Sequence, residues 1–323
     1  MTNGKYRILS ISGGGVRGIV AAIWLNRLEK KLGSPIWQHF DLIAGTSTGA
    51  VIGCALSLGI DTETVVDFYL HQSRTVFPTS AARLWSRLRR TLSEGLDAPR
   101  YDGEGLARVL KQVFGDARLS DLRVKPTLIT TYNTVNREAL VLKNDRPHYN
   151  SLRLWDVCKA SSSAPVYFPA HLLQVGNQEL PLIDGGIVAN NPTACAIAEG
   201  VRINKARSSD ERIDLENFVV ASFGTGEVTR PIYARQTQEW GALEWVMPLI
   251  DVLFDGSADA VDYIAHHLLT DGNYFRFQTP LNRAYDDIDN ADATNLSALI
   301  TTAQDYLTHG GDALLDKLVL NLQ

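Results

Sequence analysis

Twice within the first fifty residues an apolar run stops at glycines and passes straight into a helical pattern. Residues 7–12 (RILSIS) lead into Gly13, Gly14, Gly15, Val16, Arg17 and Gly18, and residues 40–45 (FDLIAG) lead into Thr46, Ser47, Thr48 and Gly49. Between them Val20, Trp24, Leu25, Leu28 and Leu32 recur at three- and four-residue steps, with Arg27, Glu29, Lys30 and Lys31 off that stripe, and Gly33 and Pro35 close the helix. A strand, helix and strand of these lengths fold as a right-handed unit with parallel strands. Both strands then finish at the same end of the sheet, so the glycine run and the Ser47 turn become neighbours.

Residues 127–132, 139–142, 180–183 and 218–223 repeat the strand pattern with helical spacing between them, which predicts an α/β fold. No repeat, low-complexity tract or Pro/Gly/Ser-rich linker divides the chain. We expect a single domain over 1–323, with a core over about 5–230 and a helical C-terminal portion over about 231–323; a split near residue 230 is the alternative. With 323 residues, 45% hydrophobic and 21% charged, the chain has ample material for a core and excludes disorder. A net charge of -5 argues against general binding of nucleic acid polymers.

Three cysteines without CxxC spacing (Cys54, Cys158, Cys195) read as core thiols in a reducing compartment. The opening MTNGKYRIL carries no secretory leader pattern, so a cytoplasmic location is expected. Residues 42–60 are 19 uncharged residues, yet Gly45, Ser47, Gly49, Gly53 and Gly59 interrupt them, so strand, turn and helix explain them better than a membrane span. Charge is unevenly spread. Arg83, Arg87, Arg89 and Arg90 share a segment with Leu84, Trp85 and Leu88, a basic amphipathic pattern suited to meeting anionic headgroups or to packing on the domain. Residues 251–292 hold nine Asp, read as a solvated face because they lack calcium-loop spacing.

Chemistry concentrates in three glycine-flanked sites. Gly45 to Gly49 spell GxSxG between strand and helix, where a nucleophilic Ser47 needs small flanking residues because the turn is tight and strained. Gly13 to Gly18 spell GxGxxG, but a dinucleotide loop requires an acidic residue at the end of the second strand, and the serine turn stands there instead. A row of backbone N–H donors beside Ser47 is the better use of Gly13, Gly14 and Gly15: an oxyanion hole, followed by the fixed charge of Arg17. A serine also needs a base. None of His39, His71, His148, His171, His266, His267 and His309 lies in a recommending loop, whereas Asp184 ends an apolar run and precedes Gly185 and Gly186. To serve, that carboxylate must be desolvated and held by donors within reach of the hydroxyl.

GGGVRG, GTSTG and DGG together resemble the patatin family of lipid acyl hydrolases, and YDG (101–103), SSSAPVYFP (161–169), FGTG (223–226) and WGALEW (240–245) extend the resemblance over nearly the whole chain. The resemblance implies a three-layer α/β/α fold with a mainly parallel central sheet and extra C-terminal helices. It implies a Ser47–Asp184 dyad working without histidine, metal or cofactor, an oxyanion hole at Gly13 to Gly15, and supporting roles for Arg17, Gly18, Gly45, Gly49, Gly185 and Gly186. Glycerolipid esters, phospholipid or galactolipid, are the implied substrate, met by peripheral association with a membrane for which Arg83, Trp85, Arg87, Leu88, Arg89 and Arg90 are the candidate contacts. Two other readings stand beside it: a storage or binding protein without catalysis, and an effector of antiviral defence switched on by a cyclic nucleotide, as in some bacterial patatin-like proteins. The sequence departs from the family at Ser12, where Asp is usual, which puts the anchoring of the glycine loop in question. Asn190, Asn191 and Pro192 read as a turn into a helix, with Asn190 a candidate to orient Asp184.

Overall fold

In the computed structural model, which describes residues 4–78 and 98–323, β1 (Tyr6–Ile11) turns through Gly15–Arg17 into α1 (Gly18–Leu32). The helix stops at Gly33, whose φ of 70° lies in the left-handed region that glycine adopts freely. β2 (Leu42–Thr46) lies parallel to β1, with Ile8 opposite Leu42 and Ile11 opposite Gly45. α2 (Thr48–Leu58) follows without a loop, so the uncharged stretch is strand, turn and helix as expected. α3 (Thr62–Val76) begins where the Asp61 side chain accepts the Thr64 N–H, an N-cap. Arg83, Trp85, Arg87, Leu88, Arg89 and Arg90 lie outside the described residues.

The chain continues through α4 (Glu104–Phe114), β3 (Thr127–Asn133), β4 (Glu138–Lys143), α5 (Leu154–Ser161), β5 (His171–Val175) and β6 (Gln178–Asp184). A short α6 (Gly186–Ala189), α7 (Thr193–Lys205), β7 (Phe218–Phe223), α8 (Ala234–Glu239) and α9 (Ala242–Leu268) come next. β8 (Tyr274–Phe277), α10 (Ala293–Tyr306) and α11 (Asp312–Leu322) complete the fold. The strand order is β5-β6-β3-β2-β1-β7-β8, with β4 paired to β3. From β3 through β8 the path is parallel, and β4, β5 and β6 join antiparallel.

Pairing along β3 decides the position of the site. β4 occupies one edge of β3 over residues 128–133. The other edge is shared: β2 pairs with residues 127–130, and after it leaves, β6 pairs with residues 131–133. Thr130 is opposite Thr46, and the next residue, Thr131, is opposite Asp184. Ser47, directly after Thr46, is thereby brought to the residue that ends β6.

Alternation along the strands gives the sheet two apolar faces. Leu9, Ile11, Ile43 and Ile129 pack against α1, α2, α10 and α11, while Tyr6, Ile8, Leu42, Leu128 and Val220 pack against α7 and Ala265 of α9. This is the expected three-layer arrangement. Trp24 is fully buried and its Nε1 donates to the Ala303 carbonyl at 2.9 Å, tying α1 to α10.

Several expectations need correction. The C-terminal portion is not wholly helical: β8 extends the sheet beside β7, its four residues being too short for periodicity to reveal. β5 was likewise unforeseen. Cys54 and Cys158 are core residues but Cys195 is half-buried. The acidic stretch is not one solvated face, for Asp286 and Asp289 are buried. Asp289 accepts the Tyr101 hydroxyl at 2.6 Å and pairs with Arg100 at 2.8 Å, and Asp286 pairs with Arg230. Buried charge survives there because partners meet it. Among the described residues, no His, Cys, Asp and Glu cluster of three or more could hold a metal ion, and no helix is long and apolar enough to cross a membrane.

Candidate active site

Ser47 sits between β2 and α2 with φ 53° and ψ -121°, a backbone conformation that costs a non-glycine residue roughly 1–3 kcal/mol. The sharpness of this turn explains its glycines. A Cβ on Gly45 would lie 2.3 Å from the Gly49 carbonyl oxygen, and one on Gly49 would lie 2.2 Å from the Ile11 carbonyl oxygen. Ser47 is 6% exposed, and its N–H donates to Ser161 Oγ at 2.9 Å. Ser161 Oγ in turn donates to the Thr130 carbonyl at 2.7 Å.

Asp184 is 1% exposed at the end of β6. Burial pushes its carboxyl up to about 7, opposed by the Gly186 N–H, which donates to Oδ1 at 2.7 Å, and by the nearby Ser47 hydroxyl. The sequence-predicted pair is thus brought together, both residues lining one cavity. Residues 161–163 hold both members: besides the Ser47 amide at Ser161 Oγ, the Asp184 N–H donates to the Ser163 carbonyl at 3.0 Å and the Gly185 N–H to the Ser161 carbonyl at 3.3 Å. Sequence reasoning did not assign Ser161 this role. Its marks were three successive serines at the end of a helix, which are ordinarily caps, and its place in the SSSAPVYFP stretch.

The glycine loop lies beside Ser47, since a Cβ on Gly13 would be 3.3 Å from that of Ser47. Its three amides differ. Gly13 N–H donates to the Asn190 carbonyl at 3.0 Å and is spent, which removes it from the expected oxyanion donors. Gly14 and Gly15 amides have no hydrogen-bond partner among the described residues. Gly15 has φ 56°, and the Ile288 carbonyl oxygen lies where a Cβ would stand, at 2.1 Å, so only glycine fits. Thr225 of the FGTG stretch donates its hydroxyl to the Gly13 carbonyl at 2.7 Å. Asn190 thus braces the loop rather than Asp184, its backbone N–H reaching Ser257 Oγ at 3.4 Å. At Ser12 the anchoring is by backbone, N–H to the Phe223 carbonyl at 2.9 Å, with Arg276 reaching the hydroxyl at 3.4 Å.

Arg17 is 2% exposed and turns away from Ser47, into a neighbouring polar cavity of about 180 Å³ that Ser12, Asp255 and Arg276 also line. Its charge opposes the burial that raises Asp251 to about 6 and also raises Asp255. Ser47, Asp184 and Gly15 share a different cavity, of about 60 Å³, whose other walls are mainly apolar: Val51, Phe68, Leu106, Leu110, Phe168 and Phe254 among them. Among the described residues, no histidine lines it. Gly18 packs beneath, a Cβ there falling 2.5 Å from Thr48 Oγ1, and Gly185 lies against Thr130.

A buried hydroxyl near a carboxyl of raised pKa, beside two amides without a partner among the described residues and an apolar cavity, is equipped for acyl transfer to serine. A sequence model described as patatin-like phospholipase matches residues 9–197. Patatin-like protein 2 of Arabidopsis thaliana is 32% identical, the match covering 97% of this chain and 83% of that protein. Patatin-04/09 of Solanum tuberosum is 26% identical over 93% of this chain and 83% of its own length. Human GIVD cytosolic phospholipase A2 superposes with a TM-score of 0.50 at 13% identity, over 98% of this chain and 60% of that one, a likeness of fold. On the extent of these matches, the chain belongs to the patatin-like phospholipase family.

Proposed function

We propose that the chain is a lipid acyl hydrolase that cleaves glycerolipid esters through Ser47 and Asp184, with the amides of Gly14 and Gly15 as oxyanion hole. The observation that carries this reading is the Ser47 hydroxyl beside a buried Asp184 whose carboxyl is raised to about 7, both lining one mainly apolar cavity. A base of that strength is about half ionised at pH 7 and far better able to accept a proton than an ordinary carboxylate.

In the first step Ser47 Oγ bonds to the ester carbonyl carbon as its proton passes to Asp184, and the carbonyl oxygen becomes an anion held by the Gly14 and Gly15 N–H groups. Collapse breaks the bond to the leaving alcohol, which takes the proton from Asp184. Water then gives a proton to Asp184 while attacking the acyl-enzyme. A second collapse releases the acid and returns the proton to Ser47 Oγ. The apolar cavity supports a fatty acyl group as the part of the substrate it holds.

The reading is tested with a fluorophosphonate probe and a phospholipid vesicle assay on wild type, Ser47→Ala and Asp184→Asn. Labelling at Ser47 with fatty acid release, both lost in Ser47→Ala and sharply reduced in Asp184→Asn, is the expected outcome. Activity that survives Ser47→Ala overturns it.

A further inference from the structure

Beyond the cavity shared by Ser47 and Asp184 lies a second apolar cavity, of about 30 Å³, between α2, α3 and α4. Three side chains belong to both: Val51 of α2, and Phe68 and Tyr69 of α3. They are therefore the wall between the two. On the far side Ala55, Val65 and Val113 add further apolar surface.

The three differ in freedom. Val51 is β-branched and held in a helix, which restricts it to essentially one rotamer. Tyr69 is buried and its hydroxyl bonds to the hydroxyl of Thr48, the residue after the serine. Phe68 has no such tether; it is half-buried, and its ring stands edge-on to Tyr69 at 87° with centroids 5.3 Å apart. Removing or turning that one ring would join the cavities while the nucleophile's own support stays in place.

We propose that Phe68 is the residue that limits acyl-chain length: a fatty acyl group esterified at Ser47 fills the first cavity and ends against the Phe68 ring, with the second cavity as the extension that a longer chain would need. This rests on reading Ser47 and Asp184 as the acyl-transfer pair. Each methylene newly sheltered strengthens binding of the transition state. Opening the wall therefore favours long chains over short ones.

The test measures kcat/KM for 4-nitrophenyl butanoate, octanoate and dodecanoate with wild type, Phe68→Ala and Phe68→Ala combined with Val113→Phe. The readout is the dodecanoate-to-octanoate ratio, which a general loss of folded protein leaves unmoved. Phe68→Ala should raise that ratio about tenfold, and adding Val113→Phe, which refills the second cavity, should bring it back towards wild type. A ratio that stays within about twofold in Phe68→Ala, or one that Val113→Phe fails to lower, overturns the assignment of Phe68. Ester hydrolysis that persists in Ser47→Ala overturns the underlying pair instead, whatever the ratios do.

Discussion

Replacing Asp184 with asparagine should cost the protein its activity and make it more stable above neutral pH. The carboxyl has an ordinary value of 3.8 and is held near 7 in the folded chain, chiefly by burial. Between those values the native state binds a proton that the unfolded state has released, so stability falls as pH rises through that window. Above about 7 the full cost is present. At roughly 1.4 kcal/mol per tenfold in the equilibrium, the difference is worth about 4 kcal/mol. Asparagine carries no charge to desolvate and still accepts the Gly186 N–H. Urea unfolding of both proteins from pH 4 to pH 8.5 should show the variant's advantage growing from near zero to about 4 kcal/mol, or roughly 6 °C in Tm for a chain of this size. In wild type, kcat/KM should fall tenfold per unit on the acid side of an apparent pKa near 7, because only the ionised carboxylate accepts the serine proton. A stability difference independent of pH, or an acid limb near 4, refutes the account of Asp184.

Other consequences are local. Ser47→Ala and Ser47→Gly lose the same hydroxyl, so their difference isolates the backbone at φ 53°; the glycine variant should be the more stable by about 1 kcal/mol in urea unfolding, and both should be inactive. Ser161→Ala leaves the Ser47 amide and the Thr130 carbonyl without their bond, at a cost of about 1–3 kcal/mol, and should lower kcat more than it raises KM. Gly45→Ala drives a methyl group into the Gly49 carbonyl and should yield protein that is insoluble or unlabelled by a fluorophosphonate probe.

The first βαβ unit was legible because each part of it is stated locally: two short apolar runs, a helical stripe with Gly33 at its end, and glycines where backbones approach within a Cβ radius. The GxSxG turn shares that property. Asp184 could be nominated from its glycines, but what makes it basic is burial, in a cavity whose walls come from distant parts of the chain such as Val51, Phe168 and Phe254. Those contacts are long-range and leave no periodic trace. Gly13 shows the same limit from the other side. Nothing in a run of three glycines says which amide is already taken, and the answer lies in the carbonyl of Asn190, far along the chain. Acidic residues mislead for a related reason: Asp289 is buried because Arg100 and Tyr101 reach it, a pairing that no local composition reveals.

The hand-over on β3 has a consequence for how this architecture tolerates change. Serine and aspartate hang from one shared ladder, at Thr130 and Thr131, so the gap between them is metered by a single peptide step and not by the many residues that loop out in between. Connections on either side are free to lengthen, since closing a longer loop adds little entropy. One residue inserted into β3 at that step is another matter, for it would turn β6 over and swing the carboxylate to the opposite face of the sheet.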